Sequence, residues 1–194
     1  ALEDRFDVDA AARSELAAGI STFSSPEEFG EILSEHFSKV SGRVLIGDLH
    51  EVQLLRTLRD AGVNIYGVAS TDALVEEVVD VRQENLFDHL GDLQNESLDG
   101  FVLSGIPDRG SVNEQLRAFR LLLLKSKPGA AVAVIVVHPE TWAARLGPVA
   151  ADLLHGRPMH AETWSYLLAR EDASQVTVIE ASDSSYCLVT ANLP

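Results

Sequence analysis

The densest run of side chains able to do chemistry is Asp152, His155, His160 and Glu162. Neutral imidazoles and carboxylates are ordinary zinc ligands. Their spacing matches no ligand signature, however, and Pro158 breaks any helix that would align the two histidines. The stretch reads instead as a polar loop capping the following helix, with no metal and with His160 as a hydrogen-bonding group or weak base candidate. A second candidate is Asp108 in Gly105-Ile106-Pro107-Asp108-Arg109, where a carboxylate could orient a nucleophile, although Pro-Asp-Arg-Gly is also ordinary turn chemistry. His138 to Trp142 follows a long apolar run, and Trp142 and Trp164 read as packing residues or pocket lining. No phosphate-binding GxxxxGK[ST] loop, GxSxG elbow or HExxH helix occurs. The lone Cys187 sits in a strand-like run, where a buried inert thiol is expected.

The elements that must position these residues alternate. Arg43 to Ser70 reads as strand, helix and strand: Val44 to Gly47 is apolar, Leu54, Leu55 and Leu58 fall at helical spacing, and Val63 to Val68 is a second β-rich run. Ahead of it, 7–20 has helix-forming composition, and Ser25-Pro26-Glu27-Glu28 starts a helix with the apolar stripe Phe29, Ile32, Leu33, His36 and Phe37. Thr71-Asp72 caps a short helix running toward Val81, with Val78 to Arg82 readable as strand instead. Leu98 to Ser104 is a strand. Asn113 to Lys125 is an amphipathic helix closing in a Lys127-Pro128-Gly129 turn, and Ala130 to Val137 is apolar throughout, as in a strand covered on both faces. After a helix over Thr163 to Arg170, Val176 to Glu180 and Ser185 to Ala191 form an antiparallel pair. This order predicts a three-layer αβα sandwich.

The length of 194 residues suits one domain with a substantial core. A net charge of -15 repels phosphate backbones and anionic lipid, so neither nucleic acid nor membrane is expected as a partner. No apolar run is long enough to span a bilayer, and the first residues lack a signal-peptide pattern, so a cytoplasmic protein is expected.

Over 40–194 the sequence resembles the class I S-adenosylmethionine-dependent methyltransferases. The likeness rests on Val44-Leu45 entering a βα turn, Asp60-Ala61-Gly62-Val63 with Tyr66-Gly67-Val68, Ser97-Leu98-Asp99-Gly100, Lys127-Pro128-Gly129, and His155 to Thr163, which is similar to a segment of a bacterial branch. The resemblance implies a Rossmann-like methyltransferase fold with a mostly parallel sheet and a C-terminal antiparallel hairpin. It also implies S-adenosylmethionine as cofactor, held around Gly47, Asp48, His50, Ser70, Asp72 and Asn85.

Three departures stand against that site. In such a family the first βα turn is glycine-rich, because the cofactor approaches the backbone too closely for a Cβ. Here Asp48, Leu49, His50, Glu51 and Val52 span it. Leu49 and Val52 are expected to project apolar side chains into the cofactor space, and Asp48 and Glu51 to add negative charge there. Ala69-Ser70 stands where a carboxylate normally accepts from the ribose hydroxyls, with Asp72 nearby, and Asn85 replaces an acid that often meets the adenine amino group. The expectation is therefore a helical lead-in over 1–40 and a methyltransferase-like domain over 41–194, within one globular unit. Its cofactor site is degenerate, and it serves as a non-catalytic scaffold or regulatory subunit with a protein partner or as a homo-oligomer. The alternative is an active methyltransferase on a small molecule or glycan.

Overall fold

The computed structural model describes residues 27–49, 52–70, 80–146, 152 and 154–194. The helix read over 7–20 and the one capped by Thr71-Asp72 lie outside the described residues.

Helix α1 (Glu27–Phe37) opens with two acids at its positive end and buries Phe29, Leu33 and Phe37 along one stripe. Strand β1 (Val44–Gly47) leads into helix α2 (Gln53–Asp60), which buries Leu54, Leu55 and Leu58. Strands β2 (Ile65–Ala69) and β3 (Val81–Gln83) follow, so Val81 and Arg82 are strand. Helix α3 (Leu86–Asp92) is capped by Asn85, whose side chain accepts from the Phe87 amide. Strand β4 (Leu98–Leu103) runs into the four-residue helix α4 (Ile106–Arg109) through Gly105, whose φ of 71° favours a residue without a Cβ.

Helix α5 (Val112–Lys125) begins with a capping box in which Ser111 and Glu114 satisfy each other's backbone amides. It passes directly into strand β5 (Ser126–Val137), so the expected turn at Lys127-Pro128-Gly129 does not close the helix. Those residues are instead a strand irregularity: the β4–β5 register shifts between Leu98 and Gly100, and Gly129 takes a φ of 77°. Between the pairs Leu98–Ser126 and Gly100–Ala131, β5 carries three more residues than β4, and the left-handed Gly129 helps the strand absorb them. Helices α6 (Pro139–Leu146) and α7 (Ala161–Arg170) and strands β6 (Ser174–Glu180) and β7 (Tyr186–Asn192) complete the described chain.

The sheet order is β3-β2-β1-β4-β5-β7-β6. Strands β1 to β5 pair in parallel, whereas β7 lies antiparallel between β5 and β6. The C-terminal hairpin is therefore inserted, with its second strand against β5. Successive strand residues serve opposite faces: Ala131, Ala133, Ile135 and Val137 pack with α1, α2 and α6, while Val132, Val134 and Val136 pack with α3, α5 and α7. That alternation makes the continuously apolar Ala130–Val137 run necessary, since neither face of this strand meets water. The three-layer αβα arrangement leaves one edge to which loops from β1, β2, β4 and β5 converge, the edge where ligands bind in open α/β sheets.

Candidate functional site at the carboxyl edge of the sheet

At this edge the residue after β1 is Asp48, with a left-handed φ of 59°, and its side chain is mostly buried. Asp tolerates this conformation better than most residues, and its short side chain finds a local partner. That partner is Arg109, whose Nη2 donates to Oδ2 of Asp48 at 2.7 Å. The pair closes over Gly105: a Cβ added there would lie 2.4 Å from the Asp48 carbonyl oxygen and 2.6 Å from the Arg109 guanidinium. The glycine in this corner thus serves an internal ion pair between β1 and α4.

Leu49 does not project into the cleft as expected, and neither does Val52. Leu49 is 4% exposed and lies on Gly67 of β2, and Val52 packs against the same core cluster. The Leu49 amide donates to the Val68 carbonyl at 2.7 Å, which carries the turn down onto β2 and turns the apolar side chain toward α2. Burial of a leucine contributes about 1.5–3 kcal/mol, which sets its direction. Gly47 is likewise packed, its missing Cβ facing Leu86 at 3.2 Å and Leu103 at 3.6 Å. Asn85 is engaged as the cap of α3. Ser70 is exposed after β2, and Ala69, at the place of the ribose carboxylate, is fully buried. His50 and Asp72 lie outside the described residues.

Asp108 is 4% exposed, and its Oδ1 accepts from the Val137 amide at 2.7 Å, tying α4 to the end of β5. Burial pushes its pKa up to about 7, against the smaller opposing effects of the Val137 hydrogen bond and Arg109. Its charge is therefore poised near neutrality, the property expected of a proton-transfer group, while its access to a ligand is closed by its burial. His160 occupies the N-cap position of α7 without a side-chain cap bond. Its ring stands edge-on to His138 at 6.1 Å. His155 lies apart and contacts Glu114 at 3.4 Å. No group of three or more potential metal ligands occurs among the described residues. Trp142 and Trp164 are core residues, at 4% and 0% exposure.

Two features have no counterpart in the sequence reading. Arg109 carried no assigned role there, and its pairing with Asp48 joins positions far apart in the chain. The second is a buried relay, in which the Glu84 carboxylate accepts from Nδ1 of His89 at 2.7 Å and the Tyr66 hydroxyl meets Nε2 at 2.9 Å. Arg43 and Arg82 lie over the Tyr66 ring at 4.1 and 5.1 Å. Desolvation lowers the His89 pKa and raises that of Tyr66. Tyr66, Glu84 and His89 follow no motif, so no sequence signal joined them.

Comparison of the sequence with protein-family models and with curated proteins gives no match. Solved structures give many. The chain is similar to a SAM-dependent methyltransferase from Archaeoglobus fulgidus, at 13% identity and a TM-score of 0.64 over 84% of this chain and 94% of that one. It is also similar to one from Aquifex aeolicus, at 16% identity and a TM-score of 0.61 over 91% and 98% of the two chains. A third is the 1,6-didemethyltoxoflavin-N1-methyltransferase of Burkholderia thailandensis, solved with S-adenosylhomocysteine, at 11% identity and a TM-score of 0.57 over 88% and 91%.

Proposed function

We propose that this chain, which has the class I S-adenosylmethionine-dependent methyltransferase fold, does not hold the cofactor and acts as a non-catalytic scaffold or regulatory subunit. The observation that carries this reading is the Asp48–Arg109 ion pair, which fills the corner between β1 and α4 where a glycine cradle would leave room. The residues present fit the cofactor poorly in two further ways. The fully buried Ala69 offers no acceptor to a ribose, and Gly47 faces leucine side chains. Loss of a charged acceptor and steric closure of the corner each cost on the order of 1–3 kcal/mol. At about 1.4 kcal/mol per tenfold, two such losses weaken binding by roughly one and a half to four orders of magnitude.

Calorimetric titration with S-adenosylmethionine and S-adenosylhomocysteine tests the reading. The expected result is no heat and no thermal shift at millimolar ligand; micromolar binding of either would overturn it. The alternative, an active methyltransferase on a small molecule or glycan, would draw on Asp108, whose carboxyl at about 7 suits proton transfer but is buried and would have to become accessible first. Transfer of a labelled methyl group to an acceptor pool, lost in Asp108→Asn, is the result that would establish it.

A further inference from the structure

Beside this edge, a pocket of about 280 Å³ opens between the start of α5 and the loop ahead of α7. That is near the low end of ligand sites, roughly 300–1,000 Å³, and gives room for one small molecule. The Gly156–Arg157 part of its loop wall is held in place. The buried Gln115 amide donates to the Gly110 and Arg157 carbonyls, both at 2.7 Å, and Gly156 lies so close to Arg109 and Gly110 that a Cβ there would sit 2.1 Å from a carbonyl oxygen.

Two of the polar groups around the pocket already have a partner: His155 contacts Glu114, whose carboxylate also accepts from the Ser111 amide and hydroxyl. The N-terminus of α5 is thereby closed by its own capping box. Asp152 and Arg157 differ. Both line the pocket and are exposed, and neither side chain makes a hydrogen bond or ion pair with the other or with any other described residue. Apolar Val112 and Leu154 complete the lining, and Val112 is 42% exposed.

We propose that this pocket binds a free apolar α-amino acid, its carboxylate against Arg157, its ammonium against Asp152 and its side chain along Val112 and Leu154. The planar guanidinium matches a carboxylate in two parallel hydrogen bonds, and a lone carboxylate is the complement of an ammonium. A ligand with both charges satisfies both residues at once, and the backbone carrying Arg157 is already held, which limits the ordering required on binding. The site lies outside the β1 turn and does not depend on whether that turn holds a cofactor.

The test is an amide NMR titration of the full chain with leucine, 4-methylpentanoate and 3-methylbutylamine. Leucine is expected to shift the amides of Val112, Leu154 and Arg157, with each singly charged analogue binding at least about tenfold more weakly. Arg157→Gln and Asp152→Asn are each expected to weaken leucine by about tenfold. Both side chains are exposed, so unchanged amide positions elsewhere verify that each variant is folded. Absence of shifts at about 50 mM leucine, equal binding of a singly charged analogue, or no effect of either substitution would overturn the assignment.

Discussion

Replacing Asp108 by Asn converts a buried titrating group into one that keeps the hydrogen bond from Val137 and never ionises. In the wild type the folded pKa of about 7 lies above the ordinary carboxyl value of 3.8. The group therefore contributes stability that is fully present below the unfolded pKa and is lost as pH rises through the folded one. Between about pH 5 and pH 7 the unfolded chain carries the charge while the folded chain stays protonated, at about 1.4 kcal/mol for each pH unit. The wild type should thus lose roughly 3 kcal/mol from this group between about pH 5 and pH 8, and the Asn variant should not. Urea unfolding of both proteins at the two pH values reads the difference directly. A wild-type-to-variant gap that stays constant with pH would refute the burial argument, as would a carbon-13 titration of Asp108 with its midpoint in the ordinary carboxylate range.

Two desolvated histidines act in the opposite direction. Desolvation lowers the pKa of His89 and of His36, so the stability they contribute is present above 6.5 and is lost as pH falls through their depressed folded values. In the Asp108→Asn background, where the carboxyl no longer compensates, melting temperature should fall on acidification through this range, and a flat profile would count against the relay. Tyr66→Phe removes the hydroxyl that meets His89 and should cost about 1–2 kcal/mol in denaturant unfolding. Leu49→Ala should cost about 2–5 kcal/mol if the side chain is core, whereas a loss below about 1 kcal/mol would return it to an open cleft. Gly105→Ala forces a Cβ against the Asp48 carbonyl in a left-handed conformation. It should lower the melting temperature more than Gly91→Ala, where nothing lies within 4 Å.

Much of the fold was legible in the sequence. The Ala130–Val137 run reads as a strand covered on both faces, and the 3.6-residue spacing of Leu54, Leu55 and Leu58 against the β-rich runs on either side places a helix between two parallel strands. These signals are local, carried by residues near one another in the chain. The Lys127-Pro128-Gly129 segment was misread for the same reason: its composition is that of a turn, and only pairing with β4 makes it a strand irregularity.

The site is a different matter. The absence of turn glycines and of a carboxylate at Ala69 is visible in the sequence, because it is a matter of residue type. Where those residues point is not. A side chain after β1 can face the cleft or the core, and tertiary packing decided between them: Leu49 turned onto Gly67 because a leucine gains more buried than exposed, while Asp48 found Arg109, more than sixty positions along the chain at 2.7 Å. The sequence alone determined an αβα sandwich and the chemistry missing from its first turn. Only the tertiary structure determined that an ion pair fills the corner, that Asp108 is buried far enough to titrate near neutrality, and that Asp152 and Arg157 share a pocket, since each depends on contacts between residues that no local pattern relates.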